Sequence, residues 1–309
     1  MRQIALRITA TSYRGTLQGI PNLVELLRRH NAGATFLFSF GPDHSGRFAR
    51  RVFRAGYLKQ ARRTRAFAHS GFGSLFTGTL LPAPQIGQRA ASVMRGVAES
   101  GFEVGIHGWD RWTWEEQIVD ADAAWVERQM RLAADCHADI FGKAATAHGA
   151  IAWQMNAHAL RLTQRLGFRY ASDTRGTHPF IPVQDGEIVL CPQLPTTLPT
   201  IDELVGRDGV TESNVAEALM RETALEPEHP HVFTLRAERE GMKLAPAFEK
   251  LLTGWLEQGY SIVAMQDIAD QLDRDTLPHH QIIRGTVPGR IGTLMVQGAE
   301  FLANWKDAA

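Results

Sequence analysis

The chain has 309 residues, 44% of them hydrophobic and 21% charged, a balance typical of globular proteins that excludes a disordered, collagen-like or coiled-coil chain. Its 33 basic and 33 acidic residues give no net charge, so no overall positive charge favours nucleic acid as a partner. Its two cysteines, Cys136 and Cys191, are too few for a disulfide framework and make a poor zinc site, so we expect two unpaired thiols in a reducing compartment.

Short apolar runs alternate with amphipathic stretches along the chain, a pattern typical of parallel β/α architecture. The predicted strands are Ile4–Thr9, Ala34–Phe40, Val104–His107, Ala145–Ala150, Tyr170–Ser172, Ile188–Leu194, His231–Ala237 and Ser261–Ala264. The predicted helices are Pro21–His30, Asp122–Ala138, Ala157–Leu166, Asn214–Thr223, Ala247–Gln258 and Gln266–Leu272. Because this pattern repeats without a low-complexity linker, it favours one α/β barrel domain over residues 1–309 rather than two domains.

The N-terminal residues lead directly into an alternating strand pattern, without an apolar leader or a cleavage site. No uncharged run approaches the roughly 20 apolar residues that a membrane span requires. We therefore expect a soluble protein of the cytoplasm.

One segment, at about residues 44–98, departs from this pattern because it contains no acidic residue between Asp43 and Glu99. Its basic residues are Arg47, Arg50, Arg51, Arg54, Lys59, Arg62, Arg63, Arg65, Arg89 and Arg95. The apolar residues among and after them are Phe48, Val52, Phe53, Tyr57, Phe67, Phe72, Leu75, Phe76, Leu80 and Leu81. Such a basic, apolar insertion is suited to peripheral contact with the inner face of an anionic membrane. The alternative is a solvated helical excursion packed on the barrel.

Polar residues gather where the strands are predicted to end, which is where α/β barrels carry their functional groups. The first strand leads into Thr9-Ala10-Thr11-Ser12-Tyr13-Arg14-Gly15-Thr16, and a later strand into His107-Gly108-Trp109-Asp110-Arg111. Further strand ends lead into His148-Gly149-Ala150-Ile151-Ala152-Trp153-Gln154, Ser172-Asp173-Thr174-Arg175-Gly176 and Leu235-Arg236-Ala237-Glu238.

These segments, together with Phe38-Ser39-Phe40-Gly41-Pro42-Asp43 and Leu194-Pro195-Thr196-Thr197-Leu198-Pro199-Thr200, resemble the polysaccharide deacetylase (NodB-homology) superfamily. Within it, the chain is most similar to the branch of formamido-arabinose-phosphoundecaprenol deformylases. The resemblance implies a distorted (β/α) barrel of the deacetylase type. It also implies hydrolysis of an N-acyl or N-formyl sugar with zinc or another divalent metal.

Most residues at the family's catalytic positions differ in this chain. The family's Asp-x-Asp, a general base followed by a metal ligand, falls at Thr9 and Thr11. Of its two histidine ligands only His107 remains, and the second position is Arg111. The general acid histidine falls at Arg236, while the glycine and arginine of the third motif fall at Ala152 and Gln154. Asp173 matches the aspartate that orients the catalytic histidine in the family.

The replacements do not suit metal-dependent hydrolysis. Threonine hydroxyls are feeble zinc ligands, and one imidazole does not supply the three or four donors that zinc requires. Arginine stays protonated in proteins, so Arg236 cannot act as a proton donor and acceptor in the way that histidine does. We therefore expect no bound metal cofactor and no deacetylase or deformylase activity by the family mechanism.

The same replacements remove two carboxylates and add two fixed positive charges, Arg111 and Arg236. We expect Asp173 to pair with Arg236, and Asp110 with Arg111. In one hypothesis Arg111, Arg236 and Arg175 still hold a phosphate or carboxylate ligand. In the other, the arginines are fully occupied by these aspartates and bind nothing.

Other residues near the strand ends are further candidates for the site. His107 is a hydrogen-bonded remnant of the metal site or an acid–base group. His148 and Gln154 are candidates for the mouth of the barrel. Four tryptophans are candidates either for a sugar-binding face or for the core: Trp109, Trp112, Trp114 and Trp153.

Three functional hypotheses follow from the sequence. The first is a catalytically degenerate homologue that binds a sugar or glycolipid. The second is a metal-independent enzyme acting on a small anionic substrate, with His107 as the proton-transfer group and arginines as the anion clamp. The third is a conventional metal-dependent hydrolase with unexpected ligands.

Overall fold

The computed structural model describes residues 2–53, 56–64 and 77–302. Its strands are β1 (Gln3–Ala10), β2 (Thr35–Ser39), β3 (Glu103–Gly108), β4 (Ala147–His148), β5 (Tyr170–Ala171), β6 (Ile181–Gln184), β7 (Glu187–Ile188), β8 (His231–Arg236), β9 (Ser261–Val263), β10 (His279–Gly285) and β11 (Leu294–Glu300). Its α-helices are Ile20–Arg29, Tyr57–Arg63, Ile86–Arg89, Ala91–Glu99, Arg111–Gln117, Ala123–Phe141, Ala157–Arg165, Ile201–Leu204, Val215–Glu222, Ala245–Glu257 and Met265–Ala269. Shorter helical turns span Gly15–Gly19, Ser45–Phe53 and Ile151–Trp153.

A curled parallel sheet forms the body of the protein as a half-barrel. Its strand order is β5-β4-β3-β2-β1-β8, and β9 pairs with the first residues of β1. Thr9 of β1 lies level with Leu37 of β2 on one side and Arg236 of β8 on the other. The prediction of an α/β fold with a distorted barrel is confirmed.

The alternation of side chains along the strands separates a packing face from a functional face. On β1, Ile4, Leu6 and Ile8 face the main core between the sheet and the helices. Ala5, on the opposite face, belongs to a second and smaller core inside the curl. Residues two and four places further along β1, Arg7 and Thr9, therefore point into the curl as well. The polar residues at the carboxyl ends of β1, β3 and β8 thus face the same pocket inside the curl of the sheet.

A second sheet, with the strand order β11-β10-β6-β7, lies beside the half-barrel. The sequence pattern did not predict β10 and β11, because their residues are mostly part-buried or exposed and lack a clean alternation. The predicted strand Ile188–Leu194 is wrong. Only its first residue belongs to a strand, Leu190 is 63% exposed, and Pro192 has no amide hydrogen for a ladder.

The described part of the basic segment packs on the half-barrel. The Phe48 ring meets the Trp112 ring edge to face at 5.1 Å, and Arg51 forms ion pairs with Glu115 at 2.5 Å and Glu116 at 2.7 Å. Arg63 donates from Nη2 to the carbonyl oxygen of Gly289 at 2.7 Å. These contacts agree with a packed excursion. Arg54, Arg65, Phe67, Phe72, Leu75 and Phe76 lie outside the described residues, as do the side chains of Val52 and Phe53.

None of the helices within residues 2–53, 56–64 and 77–302 combines the length and the apolar character that crossing a bilayer requires.

Candidate functional site

A pocket opens where β1, β3 and β8 end, with about 520 Å³ of empty space, part of it open to solvent. Six residues from the family's catalytic positions or their replacements meet there, namely Thr9, Thr11, His107, Arg111, Ala152 and Arg236. Further charged residues of the lining are Arg7, Glu115, Asp202, Glu240 and Arg290. The sequence therefore identified much of the pocket, while part of its charged lining was missed.

The two threonines donate their hydroxyl hydrogens into the protein. Thr9 donates from Oγ1 to the carbonyl oxygen of Leu235 at 3.3 Å. Thr11 donates from Oγ1 to Oε1 of Glu238 at 3.1 Å, and the same oxygen accepts the backbone N–H groups of Thr11 and Ser12. These hydroxyls serve as uncharged structural groups, which suits neither a general base nor a metal ligand.

His107 is buried and neutral. Its Nδ1 donates to the carbonyl oxygen of Gly149 at 2.5 Å, because a carbonyl can only accept, and this leaves Nε2 as the unprotonated nitrogen. Burial, reinforced by the positive charge of Arg7, holds the pKa of His107 well below its usual value. At neutral pH the ring therefore offers a weakly basic nitrogen.

Arg236 pairs with Asp202, and the predicted partner Asp173 is wrong. Asp173 instead accepts from Nδ1 of His148 at 2.7 Å and from the backbone N–H of Ala150 at 2.8 Å. Asp173 follows β5 and Arg236 ends β8, and these two strands lie at opposite ends of the sheet order. His148 is buried in this pair rather than placed at the mouth of the barrel.

Arg111 pairs with Glu115 at 2.7 Å, four residues further along its helix, and the predicted partner Asp110 is wrong. Asp110 is the N-cap of that helix, accepting from the N–H of Trp112 at 3.0 Å, and it also pairs with His44 at 2.8 Å. Burial alone would raise the pKa of Glu115, but Arg111 and Arg51 lower it to about 2. The pair Arg111–Glu115 is therefore ionised at neutral pH.

Arg175 is buried behind the pocket and does not serve as the predicted anion clamp. It pairs with Glu203 at 2.6 Å and donates to the carbonyl oxygens of Thr196 at 3.1 Å and Leu198 at 3.0 Å. Its hydrogen bonds thus go to protein groups.

Arg7 is one of the charged pocket residues that sequence reasoning missed, and it is the one that lies in β1. It is 1% exposed, and its Nη2 donates to the carbonyl oxygen of Ala150 at 3.1 Å. Its Nε is buried with no hydrogen-bond partner among the described residues, and none of their carboxylates forms an ion pair with it. Burial lowers the pKa of Arg7 to about 9, so it stays charged at neutral pH. The signal was present, because an arginine inside an apolar strand, two residues before Thr9, must face the same space.

Trp153 stands at the centre of an arginine cluster. The guanidinium carbons of Arg7, Arg175 and Arg290 lie 5.3, 5.2 and 4.6 Å from the centre of its ring. Trp153 and the preceding Ala152 both have a left-handed backbone, with φ of 54° and 53°. The indole lines the pocket, but it is buried among these three cations, so it does not present an open face for a sugar.

The remaining candidates lie away from the pocket lining. Trp109 packs against Gly41, where an added Cβ would meet the indole at 2.8 Å. Trp114 is buried and donates to the carbonyl oxygen of Gln154 at 2.8 Å. The side chain of Gln154 is engaged by Thr293 and Arg284 in the neighbouring loop and strand. Trp112 packs against Phe48 in the basic segment.

The side chains that face the pocket do not fit a divalent metal. Two neutral hydroxyls and two guanidiniums stand beside the single imidazole of His107. The carboxylates of Glu115 and Asp202 are held by arginines, and that of Glu240 accepts the backbone N–H of Arg236 at 2.7 Å. No three His, Cys, Asp or Glu side chains of the described ranges are grouped as a metal site.

Comparison with known proteins identifies the family. No family model matches the chain. It is 34% identical over 297 residues to a protein of Shewanella sediminis (strain HAW-EB3) that is described as a 4-deoxy-4-formamido-L-arabinose-phosphoundecaprenol deformylase, ArnD, and the match covers 96% of this chain and 95% of the relative. The chain belongs to the ArnD-like deformylase family.

Solved structures place the ArnD-like chain in the polysaccharide deacetylase fold. A structure described as a polysaccharide deacetylase from Mycobacterium smegmatis matches with a TM-score of 0.60 and 16% identity, over 93% of this chain and 96% of that one. A CE4 family pseudoenzyme from Bacillus anthracis matches with a TM-score of 0.51 and 12% identity, over 91% of this chain and 69% of that one. A mutant of that pseudoenzyme described as having restored enzymatic activity has the same TM-score.

Proposed function

We propose that this ArnD-like chain binds a sugar phosphate or related anionic glycolipid head group in the pocket and does not remove a formyl group from it. One observation carries the proposal. The pocket holds Thr9, Thr11 and Arg236 at the family's catalytic positions, and beside them the buried guanidinium of Arg7 with an unpartnered Nε.

The chemistry of the side chains argues against hydrolysis. Amide hydrolysis by a metal-dependent deformylase needs an activated water, a base to take its proton and an acid for the leaving amine. Thr9 and Thr11 supply no carboxylate, and Arg236 holds its protons in an ion pair with Asp202. Each missing contribution raises the barrier by several kcal/mol, on the order of a hundredfold or more in rate.

The charge of the pocket argues for an anionic ligand. Four arginines and three carboxylates line it, and Arg7 is the cation without a carboxylate partner among the described residues. An unpaired, desolvated charge is costly, and a ligand oxyanion would satisfy the donors of Arg7 with charge-assisted hydrogen bonds. The four arginines that a phosphate would meet are Arg7, Arg111, Arg236 and Arg290.

The relatives' descriptions support both parts of the proposal. The name of the Shewanella relative contains a formamido sugar joined to a phosphate, and that phosphate is the class of anion that a guanidinium cluster recognises. The Bacillus anthracis protein is a precedent for a chain of this fold that is described as a pseudoenzyme.

The structure does not favour His107 as the proton-transfer group of a metal-independent enzyme. Because the pKa of His107 is held well below its usual value, the ring is a weak base at neutral pH. Its Nδ1 hydrogen is bound to Gly149, which fits a structural role.

Calorimetric titration tests the proposal with the soluble head group, 4-deoxy-4-formamido-L-arabinose 1-phosphate. We expect wild-type protein to bind one equivalent, and the unphosphorylated sugar to bind at least tenfold more weakly. Arg7→Met should weaken phosphate binding at least tenfold while leaving thermal stability unchanged or higher, because methionine fills the buried site without a charge. Equal affinity for the two sugars, or full phosphate affinity in Arg7→Met, would refute the anion site.

A further inference from the structure

A cluster of three histidines lies outside the pocket lining, beside the second sheet. His178 follows β5, His229 precedes β8 and His280 belongs to β10. The ring centre of His178 lies 5.1 Å from that of His229 and 5.0 Å from that of His280. The Nε2 atoms of His178 and His280 are only 3.2 Å apart.

The hydrogen bonds of Gln297 define the protonation of His178. Gln297 Oε1 accepts the backbone N–H of Thr177 at 2.8 Å, which identifies this atom as the amide oxygen. The other end of the amide, Nε2, is therefore a donor, and it lies 3.0 Å from Nε2 of His178. The Nε2 of His178 must accept this hydrogen bond, so in the neutral ring the proton is on Nδ1. That Nδ1 lies 2.9 Å from the hydroxyl oxygen of Thr177.

The hydrogen bond of His280 shows that its Nε2 is also unprotonated in the neutral ring. Its Nδ1 lies 2.9 Å from the carbonyl oxygen of Gly298, which can only accept. In the neutral ring, Nε2 of His280 is therefore unprotonated. Two unprotonated nitrogens thus lie 3.2 Å apart. Because an imidazole nitrogen has one lone pair, and that of His178 Nε2 accepts from Gln297, a cation bound to both rings would replace this hydrogen bond.

We propose that His178 and His280 bind a divalent transition-metal ion, such as Zn²⁺, Ni²⁺ or Cu²⁺, through their Nε2 atoms, with His229 as the third ligand. Two imidazoles bound tetrahedrally to zinc at about 2.0–2.1 Å have nitrogens roughly 3.3–3.4 Å apart, close to the distance found here. The outer nitrogens of both rings are held by Gly298 and Thr177, as is usual for metal-binding histidines.

The third ligand requires a side-chain rotation. No three potential ligands within the described ranges converge in the present arrangement. His229 is exposed and lies next to His178, so rotation about its side-chain bonds is sterically open. Water would complete the coordination. The site uses none of the pocket residues, so it is independent of the proposed function.

Titration of tag-free protein with zinc and nickel chloride, followed by calorimetry and by the shift in melting temperature, tests this site. We expect one equivalent to bind and to raise the melting temperature. His178→Ala and His280→Asn should each weaken binding at least a hundredfold, and His229→Ala about tenfold. His280→Asn is the milder variant, because the asparagine amide still offers a donor toward Gly298.

Two controls separate this site from other effects. His158→Ala, on the helix Ala157–Arg165, should bind metal as the wild type does. Circular dichroism of the metal-free variants identifies any that fail to fold. If His178→Ala does not fold, the metal affinity of the milder variant His280→Asn decides whether the site exists. Absence of stoichiometric binding to the wild type, or unchanged affinity in folded His178→Ala and His280→Asn, would overturn the proposal.

Discussion

At the scale of single residues, Ala152 replaces a glycine of the family, and its backbone conformation lowers the stability of the fold. The family's third motif has a glycine there, and the structure holds Ala152 at φ 53° and ψ 22°. A left-handed conformation costs an L-residue about 1–2 kcal/mol, whereas glycine adopts it freely. The alanine therefore keeps a conformation that a glycine would adopt without strain.

We expect Ala152→Gly to raise the free energy of unfolding by about 0.5–1 kcal/mol, because relief of strain exceeds the entropy that glycine adds to the unfolded chain. Ala150→Gly is the matched control, since Ala150 has an ordinary φ of −56° and should lose stability. Urea unfolding measures both variants. A loss of stability in Ala152→Gly as large as that in Ala150→Gly would contradict the assignment of strain.

His137 gives a residue-scale prediction for pH. Burial lowers its pKa to about 4, and its Nε2 is buried without a partner among the described residues. In the unfolded chain the pKa is about 6.5, so below that pH the unfolded state binds more protons than the folded state. Stability is therefore lost as the pH falls from about 6.5 toward 4.

We expect His137→Leu to remove about 2 kcal/mol of the stability lost by the wild type between pH 7 and pH 5. Urea unfolding of both proteins at the two pH values isolates this contribution, because the other titrating groups cancel in the difference. An equal loss in both proteins would show that His137 is not the group responsible.

At the scale of elements, the hydrophobic pattern predicts which segments form but not which neighbours they meet. The six predicted helices all occur with ends within three residues, because their apolar faces have a helical period. The pairing of Asp173 with Arg236 failed because strand order, which separates β5 from β8, is a property of the folded sheet. Asp110 was misassigned for a local reason, since its carboxylate caps the helix that Arg111 begins.

A buried network at the other end of the strands ties several elements together. The Glu103 carboxylate of β3 accepts from Thr35 of β2, from the hydroxyl of Tyr170 at 2.7 Å and from the N–H of Gln266 at 3.0 Å. Burial raises the pKa of Glu103, although these donors oppose the shift. The network joins β2, β3, β5 and the helix Met265–Ala269.

Tyr170→Phe should lower the free energy of unfolding by about 1–3 kcal/mol, because it removes one donor from a buried carboxylate and adds no cavity. Tyr260→Phe is the matched control, since its hydroxyl donates to backbone carbonyls rather than to a carboxylate. Thermal and urea unfolding measure both. A smaller effect in Tyr170→Phe than in Tyr260→Phe would argue against the network.

At the scale of the whole molecule, the family resemblance defines the fold and the position of the pocket, and the structure supplies its charge balance. Arg7 could have been predicted from the strand alternation that it shares with Thr9, whereas Arg290 lies in a distant loop that only the fold brings beside Trp153. The histidine cluster likewise joins three segments far apart in the sequence. If this cluster binds a metal ion as proposed, zinc found in the purified protein need not lie in the pocket.

Restoring the family's residues tests whether the half-barrel still fits a pocket metal. The quintuple variant Thr9→Asp, Thr11→Asp, Arg111→His, Arg236→His and Ala152→Gly is best made on a His280→Asn background. It removes two positive charges and adds two negative ones near Glu115, Asp202 and Glu238, so we expect the metal-free variant to melt below the wild type. Zinc should raise its melting temperature, and a folded variant that binds no zinc would show that the backbone has diverged.

Formate release from 4-deoxy-4-formamido-L-arabinose 1-phosphate is the most direct test of the proposed loss of deformylation. Wild-type protein is incubated with the sugar and with zinc, cobalt, nickel or manganese ions, and formate is measured by a dehydrogenase-coupled assay. We expect no release above the rate in buffer with any of the ions. Formate production that rises in proportion to protein concentration, and that a chelator abolishes, would contradict the proposal.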